Sequence, residues 1–250
     1  MAALGVRRLP IPPKVQAVWL FDTDQALKSH PAYVKAKAGD WQSALSLVSD
    51  VALAGIHAHR DKFDRNCIFV APFAREAGGD NAIPQVFAEV CGMVFDASAD
   101  QTIVQTTKVY HTGADAMERL ALRPEFDGDV QQGKRYVLVD DVTSLGGILA
   151  ELANYIQSKG GIVHGVFVLV NAGRSNTFSP DKQTLKTLEA RYEHELIDIF
   201  GIAVNALTAN EARYLVGFRT ADDIRNRLAK AKQEIDLRLR SKGIPSIFGG

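Results

Sequence analysis

The sequence predicts an α/β fold in which a mainly parallel, twisted sheet carries helices on both faces. An apolar run at Tyr136–Val139 and a β-forming run at Ile162–Val170 flank an amphipathic helical segment, Ile148–Lys159, that ends at two glycines. A strand, a helix of about three turns and a second strand form a βαβ unit, whose strands lie parallel. A third apolar run, Cys67–Val70, ends at a proline and is typical of a buried strand in such a sheet.

The composition indicates an ordinary globular protein. Hydrophobic residues make up 46% of the 250 residues and charged residues 23%. The 29 basic and 29 acidic side chains cancel, whereas a sequence-independent nucleic-acid binder normally carries a basic excess. The chain contains no apolar run of about 18 residues and no signal-peptide core, and its two cysteines are too few for a disulfide framework. We therefore expect a cytoplasmic protein with no membrane partner and no nucleic-acid partner.

The first half of the chain is predicted to alternate between strands and helices. Its elements are a strand at Val15–Phe21, a mostly helical segment at Asp24–Ile56 with a break at Pro31, the strand Cys67–Val70, a helix at Ile83–Val90 stopped by Gly92, a strand at Met93–Phe95, and a helical turn or two at Asp115–Leu122.

The C-terminal part is predicted to hold a strand at Leu196–Phe200, a short helix at Ala209–Val216 and a long amphipathic helix at Asp222–Lys242. The apolar stripe of the long helix fits packing on the domain or on a partner subunit, which leaves a homo-oligomer open. We expect one domain over residues 1–250, with a core at about 66–202. Residues 1–65 and 196–250 would then add to it around a small hood.

The segment Tyr136–Gly147 (YVLVDDVTSLGG) carries the most chemistry. An apolar strand brings Asp140 and Asp141 to the C-terminal edge of the sheet, where open α/β sheets bind ligands. In the loop that follows, backbone N–H groups converge at a helix N-terminus, which suits a phosphate. Two carboxylates beside an anion would repel it, so we expect them to face ribose hydroxyls or a divalent cation, and such oxygen ligands favour Mg²⁺. On its own, an Asp pair after a strand is often only a helix cap or a turn. A Gly pair before a helix is likewise often only a tight turn.

This segment resembles the phosphoribosyl-pyrophosphate signature of the type I phosphoribosyltransferases, which is an apolar strand, two acidic residues and a Thr/Ser/Gly loop. The resemblance is strong over about 136–170. Over about 67–135 it is weaker and rests on the order of the segments, since the family has a pyrophosphate loop there, followed by a long mobile catalytic loop. It implies that Asp140 and Asp141 hold the ribose hydroxyls and position Mg²⁺. It also implies that the loop holds the 5-phosphate, through Val142, Thr143, Ser144, Leu145, Gly146 and Gly147.

One residue departs from that pattern. The family usually has Thr or Ser just after the two glycines, and this chain has Ile148. A hydrogen bond to a charged group is worth roughly 1.5–3 kcal/mol, so the missing hydroxyl could weaken phosphate binding by about one to two orders of magnitude.

Two upstream loops complete the expected site. In Phe73–Asn81, Arg75 is a candidate phosphate ligand and Gly78 and Gly79 allow close backbone approach, as a pyrophosphate loop requires. A plain surface turn is the alternative. The long segment Thr106–Asp115 is a candidate mobile lid, since the oxocarbenium-like state formed when pyrophosphate leaves must be protected from water.

Individual roles follow from the same resemblance. Lys108 in the lid is the candidate cation that neutralises the leaving pyrophosphate, and it joins the two aspartates as a catalytic residue. Tyr110 and His111 are candidates to contact the pyrophosphate or the acceptor. Asn171 and Arg174, which follow the second strand of the βαβ unit, are candidates for the acceptor pocket. Each of these could instead be a solvated loop residue.

The predicted activity is that of a Mg²⁺-dependent phosphoribosyltransferase. It would transfer ribose 5-phosphate from phosphoribosyl pyrophosphate to a nitrogenous acceptor, expected to be a nucleobase, and release pyrophosphate. Ile148 and the lack of a base-specific motif keep two alternatives open. One is a regulator that binds the phosphoribosyl ligand with little turnover, and the other is a variant enzyme that uses another acceptor or water.

Overall fold

The structure is a computed structural model and describes residues 5–73, 81–107, 113–192, 194–241 and 243. Within these ranges, five strands form one parallel sheet in the order β1-β7-β6-β2-β3, and β4 and β5 form a separate antiparallel pair. The strands are β1 (Ala17–Phe21), β2 (Cys67–Val70), β3 (Ser98–Asp100), β4 (Val104–Gln105), β5 (Phe126–Asp127), β6 (Arg135–Thr143) and β7 (Ile162–Asn171).

The described helices follow the amphipathic segments of the sequence, most of them within a few residues of the predicted bounds. They are α1 (Gln25–Lys28), α2 (Tyr33–Lys37), α3 (Trp41–Ala58), α4 (Ile83–Phe95), α5 (Ala116–Ala121), α6 (Gly147–Ser158), α7 (Lys182–Tyr192), α8 (Glu195–Phe200), α9 (Ala209–Leu215) and α10 (Ala221–Arg240). None of them combines the length and the apolar character that a membrane-spanning segment needs.

The central strands are mostly apolar because both of their faces are covered. Successive side chains of a strand point to opposite faces, so Val137 of β6 packs toward α3 and α4 while Leu138 packs toward α6. The same alternation places Phe69 on the first face and Val70 on the second. A parallel sheet with helices on both faces confirms the predicted fold class. Because β1 pairs with β7, the sheet also extends beyond the core expected at 66–202.

The C-terminal helices form a third apolar cluster with α5. The stripe on α10 is buried within the chain, at Ile224, Leu228, Ala231, Ile235 and Leu239. The apolar stripe that suggested a homo-oligomer is therefore covered by the chain's own helices. Oligomerisation remains a prediction, and this stripe no longer supports it.

Two predicted strands are wrong because both segments are helical. Met93–Phe95 continues α4 through Gly92, and the helix ends at Asp96, which adopts a left-handed backbone with φ 54°. Gly92 is needed for close packing rather than as a stop, since a Cβ there would lie 3.3 Å from the carbonyl oxygen of Ala97.

The second wrong strand, Leu196–Phe200, lies in α8. Its apolar residues Leu196 and Phe200 are four apart, so a helix buries both on one face. Gly201 then ends the helix in a left-handed conformation with φ 67°. The segment is too short for the spacing of its apolar residues to distinguish a helix from a strand in the sequence alone. Helix α7, which the sequence analysis did not predict, packs in the same cluster through Leu188 and Tyr192.

Candidate functional site

The acidic pair lies inside the central strand rather than in a loop after it. The apolar run predicted a strand that ends at Val139. In the structure β6 continues to Thr143, and Asp140 pairs in register with Val168 of β7. Both carboxyl groups are buried, with Asp140 at 7% and Asp141 at 4% exposure. The extra pairing holds the two side chains rigidly at the carboxyl end of the sheet.

Asp141 is engaged by three hydrogen-bond donors. The ammonium group of Lys37, on α2, lies 2.9 Å from Oδ2, and the amide of Asn81 donates to the same oxygen at 2.9 Å. The backbone N–H of Val142 donates to Oδ1 at 2.9 Å. Burial acts to raise the pKa of the Asp141 carboxyl, but the Lys37 charge and the donated hydrogen bonds outweigh it and hold the pKa below its ordinary value. Asp141 is therefore ionised and paired.

Asp140 has the opposite electrostatic environment. Burial raises its pKa well above the ordinary value, and the adjacent negative charge of Asp141 raises it further. Two neighbouring buried carboxyl groups do not both ionise easily, so Asp140 is the member of the pair that holds its proton to the higher pH. Its Oδ1 accepts one hydrogen bond, from the backbone N–H of Asp141 at 2.9 Å. Asp140 lines a cleft, into which its carboxyl group can donate a hydrogen bond when protonated and accept one when ionised.

That cleft lies over the turn between β6 and α6. Gly146 begins the helix with φ 80°, and its carbonyl accepts from the N–H of Ala150 at 2.9 Å. The first N–H groups of any α-helix have no acceptor within the helix, so this turn offers donors and positive potential to an anion. The described residues lining the cleft are Arg119, Asp140, Val142, Thr143, Ser144, Leu145, Gly146, Gly147, Ile148, Leu149 and Glu211.

The turn is braced from behind by the start of α9. The amide of Asn210 donates to the carbonyl oxygen of Ser144 at 2.8 Å, and the hydroxyl of Thr208 donates to that of Leu145 at 2.5 Å. Both carbonyl oxygens therefore already accept a hydrogen bond from the start of α9. Gly173 packs against the same turn, since a Cβ on it would lie 2.3 Å from the Ser144 carbonyl oxygen.

We predict that Gly173→Ala weakens phosphate binding at this turn. The added methyl group would displace the Ser144 carbonyl, and overpacking of this kind costs about 1–3 kcal/mol. Roughly tenfold weaker binding of ribose 5-phosphate in calorimetry is the expected result. Gly5→Ala is the matched control, because nothing lies within 4 Å of its added Cβ. Equal affinity in the two variants would contradict the prediction.

A buried charge cluster lies beneath the start of α6. The guanidinium of Arg7, in the N-terminal arm, forms ion pairs with Glu211 and, at 3.2 Å, with Glu151. It also donates to the carbonyl oxygen of Gly147 at 3.3 Å. Arg123 binds both oxygens of Glu151, at 2.7 and 2.9 Å. Two cations thus balance two anions. The cluster ties the arm, α6 and α9 together directly behind the turn at residues 142–147, which is the predicted phosphate turn.

The structure brings together only part of the predicted site. Arg75, Gly78, Gly79, Lys108, Tyr110 and His111 lie outside the described residues, so the predictions for the pyrophosphate loop and the lid stand as predictions. Asn171 is buried and donates to the carbonyl oxygen of Ser175 at 2.9 Å, which closes the turn after β7. Arg174 is exposed on that turn with φ 52°.

Two cations of the site were not identified from the sequence. Lys37 contacts Asp141 across 104 positions of the chain, and Arg119 reaches the cleft from α5. Each lies in a helix too short for its face to be assigned by period, and neither belongs to a motif. The sequence signal that could have identified them is a basic residue on a helix expected to pack near the acidic strand.

The described residues fit a Mg²⁺ ion that is bound together with its ligand. Asp140 is an oxygen donor at the cleft, whereas both oxygens of Asp141 already accept hydrogen bonds. Across the described ranges, no three His, Cys, Asp or Glu side chains are grouped to hold a metal ion. Mg²⁺ is commonly bound through one or two carboxylates and substrate phosphates. Asp140, in its ionised form, is the residue that would hold it here.

Sequence comparison links the chain to phosphoribosyltransferases. No protein-family model matches. Protein TraN of Escherichia coli is 32% identical over 217 residues, which cover 84% of this chain and 48% of that protein. The orotate phosphoribosyltransferase of Pyrococcus furiosus is 29% identical over 79 residues, 32% of this chain and 43% of that enzyme. The match to the enzyme of the same name from Methanothermobacter thermautotrophicus is 47% identical over 45 residues, 18% of this chain and 25% of that enzyme. The chain thus spans less than half the length of these relatives.

Among solved structures, the adenine phosphoribosyltransferase of Thermoanaerobacter pseudethanolicus aligns with a TM-score of 0.31 at 20% identity, covering 57% of this chain and 77% of that one. The resemblance read from the signature segment is confirmed by the orotate phosphoribosyltransferase matches. The five-stranded parallel sheet with helices on both faces agrees with the fold class that this resemblance implies.

Proposed function

We propose that this chain binds 5-phosphoribosyl pyrophosphate and transfers its ribose 5-phosphate group to a nitrogenous acceptor. The observation that carries the proposal is a single cleft that combines a buried carboxyl group, a turn rich in backbone donors and a helix N-terminus at the carboxyl edge of a parallel sheet. A sugar phosphate needs these groups side by side, because its hydroxyls and its phosphate are a few bonds apart.

Each part of the cleft has a role in binding. The turn from Val142 to Gly147 receives the 5-phosphate through its N–H groups, and the hydroxyls of Thr143 and Ser144 add donors. Asp140, at the adjacent end of β6, bonds a ribose hydroxyl. Asp141 stabilises this arrangement through its ion pair with Lys37, which keeps the second charge of the acidic pair neutralised. The ribose is therefore held at both ends and is oriented for attack.

The transfer itself is a displacement at the anomeric carbon. A bond forms from the acceptor nitrogen to that carbon as the bond to the pyrophosphate oxygen breaks, and pyrophosphate leaves with the electron pair. Positive charge develops on the ribose, so a water-excluding site with fixed anions and dipoles accelerates the step. Mg²⁺ would neutralise charge on the leaving pyrophosphate. Lys108, Arg75 and the Gly78–Gly79 backbone are proposed to do the same from the two upstream loops.

A heterocyclic base is the proposed acceptor. The matched enzymes from Pyrococcus furiosus and Methanothermobacter thermautotrophicus are named for orotate, which makes orotate the first acceptor to test. The residues proposed to contact it are Asn171, Arg174, Tyr110 and His111.

The direct test is release of pyrophosphate. Protein, Mg²⁺ and phosphoribosyl pyrophosphate are mixed with orotate, uracil, adenine, hypoxanthine or guanine, or with no base. Base-dependent release is expected with one of them, and Asp140→Asn should lower the rate by about 100-fold. Asp222→Asn, a change on the exposed side of α10, should leave the rate unchanged. Release without any base would identify water as the acceptor.

The failure of every base to promote release, together with no binding of phosphoribosyl pyrophosphate in calorimetry, would refute the proposal. Mass spectrometry of the product distinguishes a nucleotide from free ribose 5-phosphate. The same assay with EDTA measures the dependence on Mg²⁺, for which loss of release is the expected result.

A regulator that binds the ligand with little turnover is the second candidate, favoured by the Lys37–Asp141 ion pair. In a ligand-free chain this pair already satisfies Asp141, so that one carboxylate of the signature is engaged within the protein. Tight binding in calorimetry without release for any base would select this alternative.

A further inference from the structure

The phosphate turn lacks one donor that its sequence pattern leads us to expect. Ile148 lines the cleft at the position where a hydroxyl would face the phosphate. Its apolar side chain cannot donate a hydrogen bond, so the loss has to be offset by another group if the 5-phosphate is to bind tightly. Besides the hydroxyls of Thr143 and Ser144, the described residues around the cleft offer one charged side chain that can donate hydrogen bonds.

That side chain is Arg119 of α5. It lines the cleft together with the whole turn from Val142 to Leu149, and it also lines the adjoining cavity beside Gly147 and Ile148. Of the described residues that line the cleft, Arg119 is the one cation. A guanidinium carries five donors in a planar fork that matches a phosphate and stays charged at every physiological pH.

The position of Arg119 is set by the packing of α5. Asp115 and Glu118 form a capping box at the start of this helix, and the Nε of Arg119 donates to the carbonyl oxygen of Ala114 at 3.1 Å. Two arginines of α10 hold the same turn, Arg227 through an ion pair with Asp115 and Arg238 through one with Glu118 at 2.7 Å. Arg119 therefore projects from a fixed helix and loses little freedom when it binds a ligand.

The charges around Arg119 favour an anion in the cleft. Of the two acidic residues that line the cleft, Glu211 is already ion-paired with the buried Arg7. Burial lowers the pKa of the Arg119 guanidinium, which means that this partly desolvated charge gains from a nearby negative group. An incoming phosphate thus meets a partly desolvated cation, and the Glu211 carboxylate beside it is already paired.

We infer that Arg119 binds the 5-phosphate of the phosphoribosyl ligand and supplies the charged donor that Ile148 does not. The inference rests on the proposed function for the identity of the ligand. It assigns α5 to the binding site and gives α10 the task of positioning that helix.

The test compares two probes that engage opposite ends of the site. Phosphoribosyl pyrophosphate carries the 5-phosphate, whereas inorganic pyrophosphate lacks it and, under the proposed function, binds at the two upstream loops. Arg119→Gln should weaken binding of the first by about 10- to 100-fold and leave binding of the second within about twofold. A merely structural role would weaken both probes equally. Arg119→Lys should give an intermediate loss, since it keeps the charge without the fork.

Two variants sharpen the result. Arg225→Gln removes a half-exposed arginine from α10 and should leave both affinities unchanged. Ile148→Thr restores the missing hydroxyl, so adding it to Arg119→Gln should recover roughly tenfold of the lost affinity.

Two outcomes overturn the inference. One is an unchanged affinity for phosphoribosyl pyrophosphate in Arg119→Gln, and the other is an equal loss for both probes. If the wild-type chain does not bind phosphoribosyl pyrophosphate, the proposed function fails, and inorganic phosphate becomes the probe. Phosphate binding that Arg119→Gln abolishes then upholds Arg119 as an anion ligand, whereas no binding, or binding that survives the change, refutes it.

Discussion

Replacing Asp140 by Asn is expected to raise the thermal midpoint of the chain while it removes most ligand binding. The Asp140 pKa is raised in the folded state, because burial and the Asp141 charge disfavour its ionised form. The folded chain therefore holds this proton more tightly than the unfolded chain, whose pKa is near 3.8. Stability is lost as pH rises from that value through the folded pKa. Asn cannot ionise and still accepts the N–H of Asp141, so it avoids the loss.

The size of this effect follows from linkage. Each unit of pKa displacement corresponds to about 1.4 kcal/mol, and in a chain of this size 1 kcal/mol moves the midpoint by about 2–4 °C. A rise of at least about 2 °C at pH 8 is therefore expected for Asp140→Asn. Below the unfolded pKa the two midpoints should converge. Calorimetric scans between about pH 3.5 and 8 measure both limits.

Asp141→Asn should behave in the opposite way. Its pKa is lowered in the folded state by Lys37 and Asn81 against the effect of burial, so its contribution is present above pH 3.8 and is lost as pH falls through the folded value. Removing it leaves Lys37 without its partner. The expected cost at neutral pH is about 1–3 kcal/mol, less than for a fully buried pair because Lys37 is 34% exposed. If both Asn variants shifted the midpoint in the same direction, our assignment of the proton to Asp140 would be wrong.

Glu211→Gln is expected to cause the largest loss of stability. Its carboxylate, 3% exposed, is ion-paired with Arg7, which is itself 1% exposed. Removing one partner of such a buried pair costs about 3–5 kcal/mol, because the remaining charge is left without full compensation. The midpoint should fall by about 6–20 °C.

The same change should also weaken phosphate binding. Glu211 accepts the backbone N–H of Thr208 at 2.8 Å, and Thr208 in turn holds the Leu145 carbonyl of the phosphate turn. Ribose 5-phosphate affinity is expected to fall several-fold at a temperature where the variant remains folded. Glu189→Gln, at an exposed position on α7, is the matched control. A variant as stable as this control would show that the buried cluster contributes nothing to stability.

The sequence by itself determined the features whose cause is local. An apolar run with β-branched residues specifies a buried strand, and a glycine pair next to it specifies a tight turn at a helix start, so the βαβ unit and the turn before α6 were predicted correctly. Phosphate binding at Val142 to Gly147 stays a prediction. The acidic pair was placed at the right edge of the sheet for the same reason. The departure at Ile148 was also visible from the sequence.

The tertiary structure decided how charge is distributed over that turn. Asp140 and Asp141 are adjacent and chemically identical in the sequence, yet the pKa of Asp140 is raised and that of Asp141 is lowered, because Lys37 and Asn81 donate hydrogen bonds to Asp141. Arg7 and Glu211 are 204 positions apart and meet only when the N-terminal arm reaches α9. Such pairings depend on which surfaces come together in three dimensions, and residue spacing carries no record of them.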